Sequence, residues 1–389
     1  VTYLSRADGF ANYAKATAAP SNFTLAEDEK AEFLNNSNYD PNNYNNDSDE
    51  MPEMGADNGL QLADLTGKDY DDADWDKLLD QLSFEDMTTL INVGGWQTAE
   101  IKSVGKIATS DCDGPAGLNN FITKAYGTAY PSEVLMAQTW NKELANEIGV
   151  SMGQEYVDAD NYGWYGPAMN IHRTAFAGRN FEYYSEDSLL SGYMAANEMN
   201  GAATKGVYPY MKHFALNDQE TNRCSFLLTF ASEQTIREGY LKAFELATKG
   251  FEGKAMAVMS SFNWIGTVPS CANNELLNNV LRGEWGFVGM VETDYDGSYG
   301  YMITDHCIRN GNDLMLGFNS AESNKLTDES ATAVLAMRQA CKNILYTVAN
   351  SGYYADGNPA SGMTNMTKLF VMIDVILAVV LIVVDTIVI

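Results

Sequence analysis

Asp294 closes a short apolar run, VGMVETDYDG at 288–297, and is followed by an aromatic residue and, two positions on, a glycine. Such a run reads as a buried parallel strand that leaves its sheet into a polar loop. In an α/β barrel, the groups that do chemistry sit at the carboxyl ends of the strands, and this carboxylate falls there. A lone carboxylate in that place serves equally well as a helix cap or a turn residue. The residues upstream favour chemistry. An apolar run at 105–110 leads into Asp111, Cys112, Asp113 and Gly114, and one at 164–171 leads to Gly178, Arg179 and Glu182. A third run, 207–212, ends in Lys212 and His213 and continues to Glu220, and a fourth, 255–261, runs into Phe262 and Asn263.

Packing requires none of these polar groups. A polyhydroxylated ring does require carboxylates, a Lys or Arg and a His around one site, with few apolar contacts. Adjacent strand residues face opposite sides, so Lys212 and His213 reach one pocket only if the strand has ended at them. Glu292 shares the face of Asp294 but should lie about 6–7 Å deeper in the barrel. Glu182 and Glu186 read as partners for Arg or backbone groups, and His172 and His306 as ordinary polar residues.

The apolar runs at 105–110, 164–171, 207–212, 255–261, 288–293 and 313–316 alternate with helical patterns at 132–157, 187–205, 232–249, 274–285 and 327–349. This alternation implies a parallel sheet with helical crossovers, a (β/α)8-like TIM barrel over 60–352. Six strands can be counted, so the barrel is incomplete or two of its strands are irregular. Before it, 75–91 has helical spacing broken by Ser83, an N-cap for a second helix. Residues 1–59 read as the tail of a preceding domain joined by an Asn/Asp-rich linker or long surface loop.

After the barrel, 353–368 is a polar connector and 369–389 is nearly all apolar. As a helix that last run would be about 32 Å long, one bilayer core, and it reads as a transmembrane anchor. Asp374 and Asp385 lie near its ends, where a charge costs less than the roughly 3 kcal/mol of the membrane centre. A buried core helix or strand pair is the competing reading. The chain begins with Val1 rather than Met, as a fragment or processed product would.

With 389 residues there is room for one large α/β domain and extras. Asp and Glu number 52 against 24 Lys and Arg, a formal charge of −28, which argues against nucleic acid and anionic lipid as partners. Cys112, Cys224, Cys271, Cys307 and Cys341 are scattered with no CxxC, which suggests free buried thiols and no zinc site. No HExxH and no phosphate-cradling glycine loop is present, and neither metal nor cofactor is expected.

The blocks DGPAG at 113–117, GRNFEYYSED at 178–187, KHFALNDQETNR at 212–223, VMSSFN at 258–263 and LRGEWGFVGMVETDYDG at 281–297 resemble, in order and spacing, the catalytic barrel of the family 3 glycoside hydrolases. The likeness is to the β-glucosidase branch and covers about 70–320. It implies an exo-acting retaining hydrolase of terminal non-reducing β-linked sugars, acting on an oligosaccharide or β-glycoside. It further implies Asp294 as nucleophile, with Asp113, Arg179, Lys212 and His213 holding the sugar hydroxyls. Asp294 must then be ionised, and Lys212 and Arg179 would lower its pKa.

Three departures stand out. Phe262 replaces a Tyr that is usual in the family, and Tyr295 replaces a frequent Trp. The acid/base Glu of this branch comes from an α/β-sandwich domain that usually follows the barrel, whereas here only the tail follows. The chain therefore resembles the second half of a member with reversed order, its sandwich domain expected upstream. Glu220 is the internal candidate for acid/base. A non-catalytic sugar-binding or scaffold protein descended from such an enzyme is the alternative, and Phe262 is its support.

Overall fold

Five strands alternate with helices and pair in parallel. They are β1 (Thr109–Asp113), β2 (Gly163–Tyr165), β3 (Tyr208–Phe214), β4 (Ala257–Ser260) and β5 (Met290–Glu292). The strands stand in sequence order: Asp111 lies opposite Gly163, Gly163 opposite Tyr208, Tyr210 opposite Ala257, and Ala257 opposite Met290. The computed structural model describes residues 4–19, 22–318 and 324–355.

Irregular pieces close the ring. Glu292 pairs in parallel with Leu314, and the Met315 N–H donates to the Ile91 carbonyl at 2.9 Å. Gln97–Thr98 then pairs antiparallel with Ser110 and Thr109 of β1. The stretch 91–98 is thus a wall of the barrel, and one of its members runs antiparallel. At the seam a Cβ on Gly94 would meet the Met315 carbonyl oxygen at 2.4 Å, so the two backbones approach only because the residue is glycine.

Helices cover the outside: α1 (Phe84–Asn92), α2 (Lys142–Asp158), α3 (Ser188–Ala203), α4 (Lys242–Gly250), the π-helical α5 (Glu275–Glu284), the short α6 (Thr304–Arg309) and α7 (Ala331–Ala349). Ser83 caps α1 as its position suggested, accepting from the Asp86 N–H while the Asp86 carboxylate accepts from the Ser83 N–H. Along the strands side chains alternate. Met211, Val258 and Val291 pack outward with Phe244, Leu277 and Leu281 of the helices. Tyr208 and Tyr210 point inward, and their hydroxyls bond Asp111, the latter at 2.7 Å.

Several elements depart from the sequence pattern. The first strand is not 105–110 but Thr109–Asp113, so Asp113 belongs to the strand itself. The run 164–171 is strand only as far as Tyr165; beyond it Met169 N–H to Lys212 O (2.8 Å) and Lys212 N–H to Pro167 O (3.0 Å) carry an irregular pairing. The 132–157 pattern splits into Glu133–Ala137 and α2, with Trp140 at φ 54 and Asn141 capping the second piece. The stretch 35–59 lies along the barrel, its Asn36 N–H bonded to Gly300 O (2.8 Å) and its Asn46 N–H to Thr332 Oγ1 (2.8 Å). Among the described residues no helix is long and apolar enough to cross a membrane. The anchor expected at 369–389 lies outside them, as does 356–368 of the connector.

Candidate active site

At the carboxyl ends of the strands a cavity of about 290 Å³ opens, lined by Asp113, Arg179, Lys212, His213 and Asp294 together with Arg223. That volume is near the lower end for small-ligand pockets. A groove of similar size, about 310 Å³, lies outside the barrel between the helices, but its Arg237 and Glu284 are paired with one another. Its Glu233 likewise pairs with Arg237, and its Asn279 donates to Glu275.

Asp113 ends β1 and turns into a loop where Gly114, at φ 117, would bring a Cβ to 1.7 Å from Gly117 O. Its carboxylate meets Lys212 Nζ at 3.0 Å, and Glu182 Oε1 lies 3.6 Å from the same ammonium. Arg179 grips Glu182 in a fork, Nε to Oε2 at 2.6 Å and Nη2 to Oε1 at 2.7 Å. This bidentate form fixes the guanidinium plane. At Asp113 burial opposes ionisation, but the charge and hydrogen bond of Lys212, the Gly114 N–H and Arg179 outweigh it, and the pKa is lowered. Glu182 behaves alike: burial opposes, Lys212 and Arg179 prevail, and it too is lowered.

Lys212 and His213 are neighbours in sequence, and both line the cavity. The register of β3 against β4 shifts between Met211 and Phe214. Strict alternation is lost there, so the strand does not have to end for both side chains to reach one space. His213 is buried, with the Tyr183 hydroxyl 3.4 Å from Nδ1 and Asp294 Oδ2 3.8 Å from Nε2. Burial, with Arg179, Lys212 and Arg223 nearby, pushes its pKa well below the ordinary value and keeps the ring neutral.

Asp294 follows β5. Its N–H donates to Ser260 O (3.0 Å), and its Oδ1 accepts from the Tyr295 N–H (2.7 Å). Oδ2 is buried and has no hydrogen-bond partner among the described residues. From the sequence, Lys212 and Arg179 are expected to lower this pKa. The opposite holds at this buried carboxylate: burial raises it, and Arg223, Arg179, the Tyr295 N–H and Lys212 offset that only in part. Glu292 lies deeper, fully buried, and accepts from the Tyr165 hydroxyl at 3.3 Å. Burial and the nearby Asp111 push its pKa well up.

Glu220 does not line the cavity. Its Oε2 is 3.0 Å from Arg223 Nε and its Oε1 3.9 Å from Arg179 Nη1, so the carboxylate is occupied as a partner for two guanidiniums. Phe262 does line it, 2% exposed, with the Arg223 guanidinium 4.6 Å above its ring. Sequence reasoning assigned no role to Arg223 or to Trp96 and Tyr165, which also border the cavity. Arg223 lies in a loop past Asn222 (φ 63), away from any strand end. Trp96 belongs to the 91–98 wall, which no periodicity announced. Its ring stacks on Phe318 (5.1 Å) and lies 5.9 Å from Tyr295, forming one apolar side of the mouth opposite in character to the charged one.

Residues 83–314 match the family described as the glycosyl hydrolase family 3 N terminal domain. Beta-glucosidase A of Butyrivibrio fibrisolvens is 39% identical over 252 residues, 62% of this chain and 29% of that protein. An exo-alpha-(1->6)-L-arabinopyranosidase of Bifidobacterium longum is 35% identical over 225 residues, 55% of this chain and 29% of that protein. Among solved structures, beta-glucosidase 3B from Thermotoga neapolitana in complex with alpha-D-glucose superposes with a TM-score of 0.65 at 32% identity, over 76% of this chain and 45% of that one. The chain thus spans under a third of the length of these curated relatives.

Proposed function

We infer that this chain, which belongs to glycosyl hydrolase family 3, acts as the barrel of an exo-acting, retaining β-glycosidase of the β-glucosidase type. The observation that carries the reading is the Oδ2 of Asp294, a buried carboxylate oxygen without a hydrogen-bond partner among the described residues, bordering a cavity shared with Asp113, Arg179, Lys212 and His213. On this reading Oδ2 attacks the anomeric carbon of a terminal sugar. The bond to the leaving oxygen breaks, that oxygen takes a proton from a general acid, and a glycosyl ester forms on Asp294. Water then hydrolyses the ester with retention.

The polar side of the cavity suits a sugar ring. Asp113 accepts from hydroxyls, Lys212 and Arg179 donate, and neutral His213 donates from Nε2 when Tyr183 donates to Nδ1. The apolar side, Trp96 with Tyr295, suits the flat face of a ring. Neither Glu292, sunk in the barrel, nor Glu220, held by two arginines, is well placed to protonate a leaving oxygen. We therefore assign the acid/base to an α/β-sandwich domain outside this chain. The apolar run 369–389 we assign to a membrane anchor. The test is Asp294→Asn in the enzyme with its acid/base domain. Turnover should fall by orders of magnitude while a neutral sugar such as glucose still binds. Loss of less than about tenfold in turnover, about 1.4 kcal/mol in the barrier, would remove Asp294 from the role.

A further inference from the structure

Part of the cavity wall stands on loops rather than on the barrel. Arg223 comes from the loop before Leu228–Thr229, Phe262 from the turn after β4, and Tyr299 from the loop after β5. One ring cluster ties these loops together. Trp264 lies 5.2 Å from Phe226 and 5.5 Å from Tyr301, and Phe226 lies 5.2 Å from Tyr301. Backbone bonds run the same way: Trp264 N–H donates to Leu227 O (2.8 Å), and the Tyr301 hydroxyl donates to Phe262 O (2.9 Å).

The outer side of this cluster is covered by the stretch 32–49, far from it in sequence. Phe33 is half-buried, its ring 5.1 Å from that of Trp264. Three residues on, the Asn36 N–H donates to Gly300 O (2.8 Å), beside Tyr299. The stretch is anchored at its other end on α6 and on the loop that leads into α7. The Tyr39 hydroxyl donates to Asp305 (2.5 Å), Arg309 donates to Tyr44 O (3.2 Å), and the Asn45 side chain donates to Asp328 (3.0 Å). The rings of Tyr39 and Tyr44 lie 5.4 and 6.3 Å from that of His306. Bonded at one end to the helices and at the other to the loops, the stretch forms a strap.

We propose that Phe33 and Asn36 are positioning residues for the sugar pocket: through Trp264 and Gly300 they hold the loops that present Arg223, Phe262 and Tyr299. The proposal rests on the glycosidase reading and adds to it a control point about 260 residues from the nucleophile in sequence. Without the Phe33 ring, the cluster loses its outer face and the three loops gain freedom. The barrel strands, paired to one another, do not. Arg223 is held by Glu220 at 3.0 Å and lies 4.6 Å over the Phe262 ring, so its position follows the loops that the cluster braces.

The experiment compares Phe33→Ala and Phe33→Leu in the full protein. Phe33→Ala should weaken 1-deoxynojirimycin binding about five- to tenfold and speed amide hydrogen exchange in 223–229 and 298–301, leaving 208–214 protected as before. Phe33→Leu, which keeps an apolar contact on Trp264, should restore most of both. Parent-like binding and exchange in the Ala variant would overturn the proposal, and so would faster exchange spread evenly over the barrel. If the unsubstituted protein does not bind the iminosugar, the glycosidase reading fails, while the exchange comparison still decides whether the strap braces the loops.

Discussion

Lys212→Met removes the charge at the centre of the proposed sugar site while keeping the bulk of the stem. The side chain is 4% exposed, and its ammonium sits 3.0 Å from Asp113 and 3.6 Å from Glu182. At an effective dielectric of about 20, one such contact is about 5 kcal/mol of attraction. The Asp113 side chain is 41% exposed, so water screens a large share of that. We expect a loss of about 2–4 kcal/mol in unfolding free energy at about pH 7. The pH dependence gives the cause away. Asp113 and Glu182 have lowered pKa values in the folded protein, so each contributes stability above its unfolded pKa that is lost as pH falls through the folded one. In the Met variant much of that contribution is gone. The difference between the two proteins should therefore shrink as the pH falls from about 7 through the lowered folded pKa values of Asp113 and Glu182. Denaturant unfolding at both pH values measures it. An equal loss at both, or one under about 0.5 kcal/mol at neutral pH, would show that the three charges do not act as a unit.

Three further outcomes are expected. Because burial raises the Asp294 pKa against the pull of Arg223, the acid limb of kcat/KM should lie above the ordinary Asp range, and Arg223→Gln should move it higher; a shift to lower pH would contradict the assignment. The 389-residue chain alone should hydrolyse a nitrophenyl glycoside feebly and a disaccharide hardly at all, since general acid help is typically worth about 10²–10⁴-fold and matters most for a poor leaving group. Equal efficiency on both would place the acid inside the chain, with Glu220→Gln the variant to make first. Removing 369–389 should free the protein from detergent with its cooperative melting intact, whereas aggregation would mark that run as core.

Much of the framework was legible because it rests on local chemistry. Ser83 announced a helix start, and the apolar runs before Lys212 and Asp294 announced strands that carry polar residues toward their carboxyl ends. What escaped notice depends on approach between distant segments. The wall at 91–98 has no period to read, because Gly94 and Gly95 serve a seam with Met315 and Gly317 rather than a regular strand. Strict alternation put Lys212 and His213 on opposite faces, and only the register shift explains why both reach the cavity. Counting the cations around Asp294 gave the wrong direction for its pKa, since burial is invisible in a sequence and outweighs them. The strap at 32–49 has few aliphatic residues, and composition alone makes it a linker. It is ordered by polar side chains such as Asn35, which accepts from the Ser37 N–H, and Asp40, which accepts from the Asn42 N–H.

The central claim is that Asp294 becomes covalently bonded to the sugar. A 2-deoxy-2-fluoro-β-glucoside with an activated leaving group forms the glycosyl ester readily and releases it slowly, so the adduct can be mapped by peptide mass spectrometry. The label should fall on Asp294 and be absent from Asp294→Asn. A label on Glu220 or Glu292 would contradict the assignment, and sugar binding with no label on any carboxylate would identify a binding protein instead.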